Sequence, residues 1–172
     1  MTIDETHLTS LTCTTAEFGE VGAELLARGN LVRFTARGSS MHPLVRDGDI
    51  LLVSPLPPGG VKIGDIVLCT TGNGQVLVHR VLRKQRAAGS LAFLMQGDQA
   101  MVPDGLIPAE QVHGKLTEIE RSGRVLQMTS PAVRFLGLIM VCSQRVGLRQ
   151  SFVAKVASGL IKRLPGFSSY LN

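Results

Sequence analysis

Tryptophan is absent from this chain of 172 residues and tyrosine occurs once, so a surface that stacks successive single-stranded bases has no aromatic platform to build on. Cysteine is nearly as scarce. Cys13, Cys69 and Cys142 are odd in number and far apart in sequence, which supports neither a disulfide framework nor a metal site of regular ligand spacing. No metal and no cofactor is expected. The start, MTIDETHLTSLTCTTAEFGE, is polar and acidic and lacks a basic segment followed by an apolar run, so the expectation is a cytoplasmic protein without a secretory leader. The strongly apolar run VRFLGLIMVC, residues 133–142, is bracketed by Arg134 and Arg145 and is far shorter than the roughly 20 residues a spanning helix needs. The last absence is acidic charge after Glu120. Residues 121–172 carry eight basic and no acidic side chains, while residues 1–120 carry 10 basic and 13 acidic ones. A body of net −3 joined to a tail of net +8 points to an anionic partner, nucleic acid or a membrane surface. The shortage of aromatics argues against nucleic acid, and none is expected.

The periodicity changes twice along the chain. Residues 1–14 show none and are expected to be disordered. TAEFGEVGAELLARGN then places Phe18, Val21, Leu25 and Leu26 on one helical face, with acids early, Arg28 late and Gly29-Asn30 as the stop. Beyond it come seven short β-type runs separated by turn residues: LVRFTA, DILLVSP, DIVLCTT, QVLVHRVL, LAFLMQ, VHGKLTEIE and RVLQMT. They predict an antiparallel β-domain of roughly seven strands. Asn73-Gly74 suits a tight hairpin turn, and three Gly-Asp pairs, Gly48-Asp49, Gly64-Asp65 and Gly97-Asp98, read as turn chemistry. Pro131 opens a helical, basic region. The expected fold class is mainly β: an antiparallel β-domain over 31–130, a short N-terminal helix within 1–30, and an amphipathic helical C-terminal tail over 131–172.

Two residues stand out for chemistry. The stretch ARGSSMHPLVRDGDILLV, residues 36–53, sets a run of small residues, a Met, a His and a Pro before an acidic turn and a strand. Small residues before a proline often build only a turn. A serine there becomes a nucleophile if the fold brings a base to it. QVLVHRVL offers that base, because alternation puts His79 in line with Leu77 and Val81, and Arg80 with Val76 and Val78 on the other face. The same pattern fits a core histidine with one satisfied hydrogen bond.

Taken in order, GSSMHPLVRDGDILLV, KIGDIVLC, LVHRV and QGDQAMVPDG resemble the serine peptidase clan that unites signal peptidase I with the self-cleaving SOS repressors. The resemblance covers about residues 31–121. It implies a signal-peptidase/SOS-repressor-like fold and a nucleophile at the serine before Met in Ser-Met-x-Pro, here Ser40. The base belongs to a later Val-Lys-Arg or Val-His-Arg strand, here VHRV, so His79 takes that position, similar to the Ser-His subtype. GDQAMVPDG resembles the family's Gly-Asp-Asn-x-x-x-x-Asp region and offers Asp98 and Asp104. A carboxylate behind the imidazole would hold its tautomer. Asp98 is the first choice for this role; Asp104, before Gly105, either supports His79 in its place or stabilises the loop. Gln99 departs from the usual Asn. Ser39 either supports an oxyanion hole with the Ser40 amide or is a plain turn residue.

His42 is expected to point to solvent, His113 to be a strand residue, Lys84 to be part of an exposed charged strand end, and Arg80 to be structural. The implied activity is endopeptidase cleavage of a leader from a peptide or precursor protein. The alternatives are a self-cleaving regulator, for which the segment before LVRFTA is too short to hold a DNA-binding module, and a non-catalytic peptide-binding β-domain. In the tail, RQSFVAKVASGLIKRLPG places Phe152, Val153, Val156, Leu160 and Ile161 near one helical face with cations around it. The expectation is peripheral binding at the inner face of an anionic membrane through residues 131–172, against packing of both tail helices on the β-domain or dimerisation.

Overall fold

The computed structural model describes residues 15–57, 60–87, 89–145 and 159. The short apolar runs become strands: β1 (Val32–Thr35), β2 (Ile50–Pro55), β3 (Ile66–Thr70), β4 (Val76–Ala87), β5 (Ser90–Gln96), β6 (Gly105–Pro108), β7 (Val112–Arg121) and β8 (Arg124–Gln127). The protein is therefore mainly β, with helices α1 (Thr15–Ala27) and α2 (Pro131–Arg145) at its two ends. Seven strands coincide with the expected runs. The eighth, β6, is only GLIP, bounded by Gly105 and Pro108, too short and too rich in turn residues to show a period of two.

All pairings are antiparallel, in the order β1-β2-β7-β3-β4-β5-β6, with β8 on β7 off this path. The central strand β3 is covered on both faces, since Ile66 and Leu68 enter one hydrophobic cluster and Val67 and Cys69 another. Alternation along one strand thus feeds two cores.

Both helices close the larger cluster. In α1 the docking face differs from the expected one: Val21 and Leu25 are exposed, and the buried side runs through Phe18, Gly19, Gly22 and Leu26. The reason is close approach. A side chain at position 19 would run into Val76, and one at position 22 would already touch Leu68. The glycines let the helix axis settle on the sheet while Phe18 packs against Phe34 at 4.8 Å between ring centroids. At the other end, Val133, Leu136 and Met140 of α2 are buried in the same cluster. This first part of the tail therefore packs on the β-domain. The second expected tail helix, like His7 and Cys13, lies outside the described residues. No helix among the described residues is long and apolar enough to cross a membrane.

Candidate active site

The acidic turn after Ser40 has a mechanical explanation. Between β1 and β2 the chain makes a loop closed at its base by the Ala36 amide on the Asp49 carbonyl, 2.7 Å, and the Gly48 amide on the Ala36 carbonyl, 3.0 Å. Gly38 adopts φ +88°, a left-handed conformation natural to glycine, and its amide donates to Asp47 Oδ1 at 2.8 Å. Asp49 accepts the Arg46 amide at 2.7 Å. Arg121 reaches over from β7 and donates to both oxygens of Asp49, at 2.6 and 2.5 Å, and to the Leu44 carbonyl at 3.0 Å. Underneath, Met41, Leu44 and Val45 are buried, while Ser40 is exposed. The loop is pinned by its carboxylates and anchored by its apolar residues, so Ser40 stands on a fixed shelf.

His79 meets it from β4. Its Nε2 lies 2.9 Å from Ser40 Oγ, and its Nδ1 lies 2.6 Å from Asp104 Oδ2. A carboxylate only accepts hydrogen bonds, so Nδ1 is the nitrogen that donates to Asp104, and in that tautomer Nε2 is the one that can accept from the serine hydroxyl. The ring is buried, and Asp104 is only partly exposed just before β6.

Asp98, expected behind the imidazole, is elsewhere. Arg80 Nε and Nη2 donate to its two oxygens at 2.7 and 2.6 Å, and Arg80 Nη1 donates to the Gly64 carbonyl at 2.8 Å. Arg80 and Asp98 are 1% and 3% exposed. An unpaired guanidinium at that depth would be prohibitively costly, and a planar fork facing a carboxylate is its best partner. Alternation sends Arg80 to the face opposite His79, and Asp98 follows Arg80. The place behind the imidazole belongs to Asp104. The signal that separates the two aspartates is the arginine next to His79 on a buried strand, which needs an acid of its own.

The turn after β5 fastens the rest. Gln99 donates its amide to the Ser40 carbonyl at 2.7 Å, a contact any residue but proline can make, so Gln in place of Asn leaves it intact. Gly97 lies against the pair: a Cβ there would stand 2.8 Å from the Ser40 carbonyl oxygen and 3.1 Å from His79 Nε2. Its carbonyl accepts from Gln144 of α2 at 3.2 Å. His42 is not free in solvent as expected; its Nδ1 sits 3.1 Å from the Gln99 side-chain nitrogen, and burial, then the charges of Arg46 and Arg121, lower its pKa. Ser39 is exposed, and its carbonyl accepts the His42 amide at 3.0 Å.

The remaining candidates lie apart. Lys84 is exposed with its ammonium 5.9 Å from the Phe93 ring centre. His113 Nε2 pairs with Thr70 Oγ1 at 2.8 Å, and burial lowers its pKa. Burial, with the Asp104 charge second, pushes the Cys69 thiol up to about 12, which leaves it protonated and inert near neutral pH. Among the described residues no cluster of three or more His, Cys, Asp or Glu side chains could hold a metal ion.

The β-domain sets a serine, a histidine and an aspartate in line, an arrangement of the kind serine peptidases use. Residues 12–112 match the family model described as Peptidase S24-like, and the chain belongs to that family, within the clan of self-cleaving repressors and signal peptidases. The family holds serine peptidases, self-cleaving repressors and non-catalytic members. No curated protein and no solved structure matches the chain.

Proposed function

We propose that this protein is a serine endopeptidase of the signal peptidase I-like type that cleaves a leader or signal segment from a peptide or precursor protein. The observation that supports it best is the unbroken hydrogen-bonded line from Ser40 Oγ through both nitrogens of His79 to Asp104. In this reading Ser40 Oγ attacks the peptide carbonyl carbon and His79 Nε2 takes its proton. Asp104 stabilises the resulting imidazolium. As the C–N bond breaks, Nε2 returns the proton to the leaving amine, and Ser40 is left as an ester. A water, deprotonated by His79, then hydrolyses the ester and restores the hydroxyl. Backbone amides of the Ser39-Ser40 turn are the candidates to receive the oxyanion.

The substrate in this reading is an extended segment with small side chains near the scissile bond, added along a free strand edge. Among the described residues β1, β6 and β8 each pair with a single strand, and two of these edges run toward the site. β1 ends at Thr35, shortly before Ser40, and β6 starts at Gly105, next to Asp104. The test is mass spectrometry of peptides released from a proteome by the wild-type protein and by Ser40→Ala. Peptides that vanish with Ser40→Ala are expected; identical peptide sets, with no labelling of Ser40 by a serine-reactive acylating probe, would refute the activity. Family membership favours one second reading, self-cleavage. Fragments of the purified protein that Ser40→Ala abolishes would select it.

A further inference from the structure

We propose that the outer stripe of α2, together with the basic chain that follows it, seats this protein on an anionic lipid surface. The helix has two apolar sides with different fates. Its inner side, through Val133, Leu136 and Met140, is consumed by the core. On the outside Phe135 and Leu138 remain 61% and 49% exposed, with Pro131 and Cys142 exposed on the same stripe and Arg134 beside it. Positions 131, 135, 138 and 142 follow the helical repeat, so the stripe is continuous. The hydrophobic clusters of the described residues do not take it up.

Charge selects the occupant. Arg121 is taken up by Asp49; from residue 122 onward the chain has seven cations and no acidic side chain, whereas the part before it is net negative. An anionic surface attracts this end and repels the rest, which orients the molecule. A second copy of the chain fits less well. A stable interface takes about 800 Å² from each partner, and two half-exposed side chains fall far short, since even a fully buried Phe contributes about 150–250 Å². Lipid headgroups need neither a shaped interface nor a patterned one: insertion of a narrow stripe and attraction of dispersed cations add together.

The experiment uses the full chain, since cutting after Ser130 would remove buried core residues. Ser40→Ala protein is sedimented with vesicles of phosphatidylcholine alone or mixed with phosphatidylglycerol, at low and high salt, so that binding is read without hydrolysis. Expected is pelleting with the anionic vesicles at low salt and release at high salt. Phe135→Ser combined with Leu138→Ser should weaken binding by at least about tenfold. Lys155→Glu combined with Lys162→Glu should do the same on anionic vesicles. Recovery of the unsubstituted chain in the supernatant, or pelleting that neither pair of substitutions reduces, overturns the proposal. So does a dimer in light scattering that the Phe135 and Leu138 changes dissolve while vesicles are ignored, which would assign the stripe to a second copy.

Discussion

Replacing Asp104 with Asn and, separately, Asp98 with Asn should damage this protein in opposite ways. Asp104 faces His79 Nδ1 at 2.6 Å. In the proposed mechanism its negative charge is needed only when the imidazole becomes positive. Two unit charges with centres roughly 4 Å apart attract by about 4 kcal/mol at an effective dielectric of 20 and by about 1 kcal/mol in bulk water. Those limits correspond to rate losses of about 10³ and about fivefold. The side chains of His79 and Asp104 are 8% and 16% exposed, so the loss should lie toward the larger figure. Stability should hardly change, because an amide can still occupy the site. Asp98→Asn removes the partner of a guanidinium that is 1% exposed; leaving one member of such a buried pair costs about 3–5 kcal/mol. Its folded fraction should still react. The assay pairs the rate of Ser40 acylation by a serine-reactive probe with urea unfolding of each variant. Wild-type acylation by Asp104→Asn, alongside loss of acylation by a fully folded Asp98→Asn, would refute the assignment of the two carboxylates.

Three further outcomes are expected. Gly97→Ala forces a methyl to 2.8 Å from the Ser40 carbonyl oxygen, and the resulting shift should slow acylation about tenfold or more; a wild-type rate would mean that Ser40 and His79 can move aside together. Lys84→Ala should leave acylation unchanged, because Lys84 is exposed against the Phe93 ring, and its loss of activity would point to a Ser-Lys pair instead. His113 has a pKa lowered by burial. Below about pH 6.5 the unfolded imidazole takes up a proton that the native one resists, so stability present at neutral pH is lost as pH falls through the lowered native value. His113→Gln should therefore flatten the drop in urea midpoint between about pH 7 and about pH 5, and an unchanged drop would assign it to other groups such as His42.

What could be read from the sequence follows from how local each feature is. The strands were legible because a period of two survives in runs such as LVRFTA and QVLVHRVL, and the same alternation separated His79 from Arg80. The docking face of α1 was not, because a glycine contributes nothing to an apolar pattern, yet Gly19 and Gly22 are where the helix comes closest to the sheet. β6 escaped because four residues between turn residues carry no period. The choice between Asp98 and Asp104 was open in principle: both lie in one loop, and which carboxylate faces the imidazole is settled by partners on β4 far away in sequence.

The three Gly-Asp pairs show the same limit from another side. Asp49 and Asp65 each accept the amide three residues before them, at 2.7 and 2.8 Å, which is turn chemistry that a dipeptide can announce. Asp98 follows an identical glycine and does something else. Its ion pair with Arg80 joins β4 to the turn after β5, and Arg80 extends the link to the Gly64 carbonyl. α2 completes it: a Cβ on Gly137 would stand 3.0 Å from Arg80 Nη1, so the glycine there lets the helix close over the guanidinium without pressing on it. The ion pair, the glycine and the Gln144 contact together fix the turn that carries Gly97 and Gln99, and that turn holds the Ser40 backbone. The alignment of Ser40 with His79 is thus a property of the whole assembly, built from the first strand to the C-terminal helix, and a charge buried one residue away from the histidine is what ties it together.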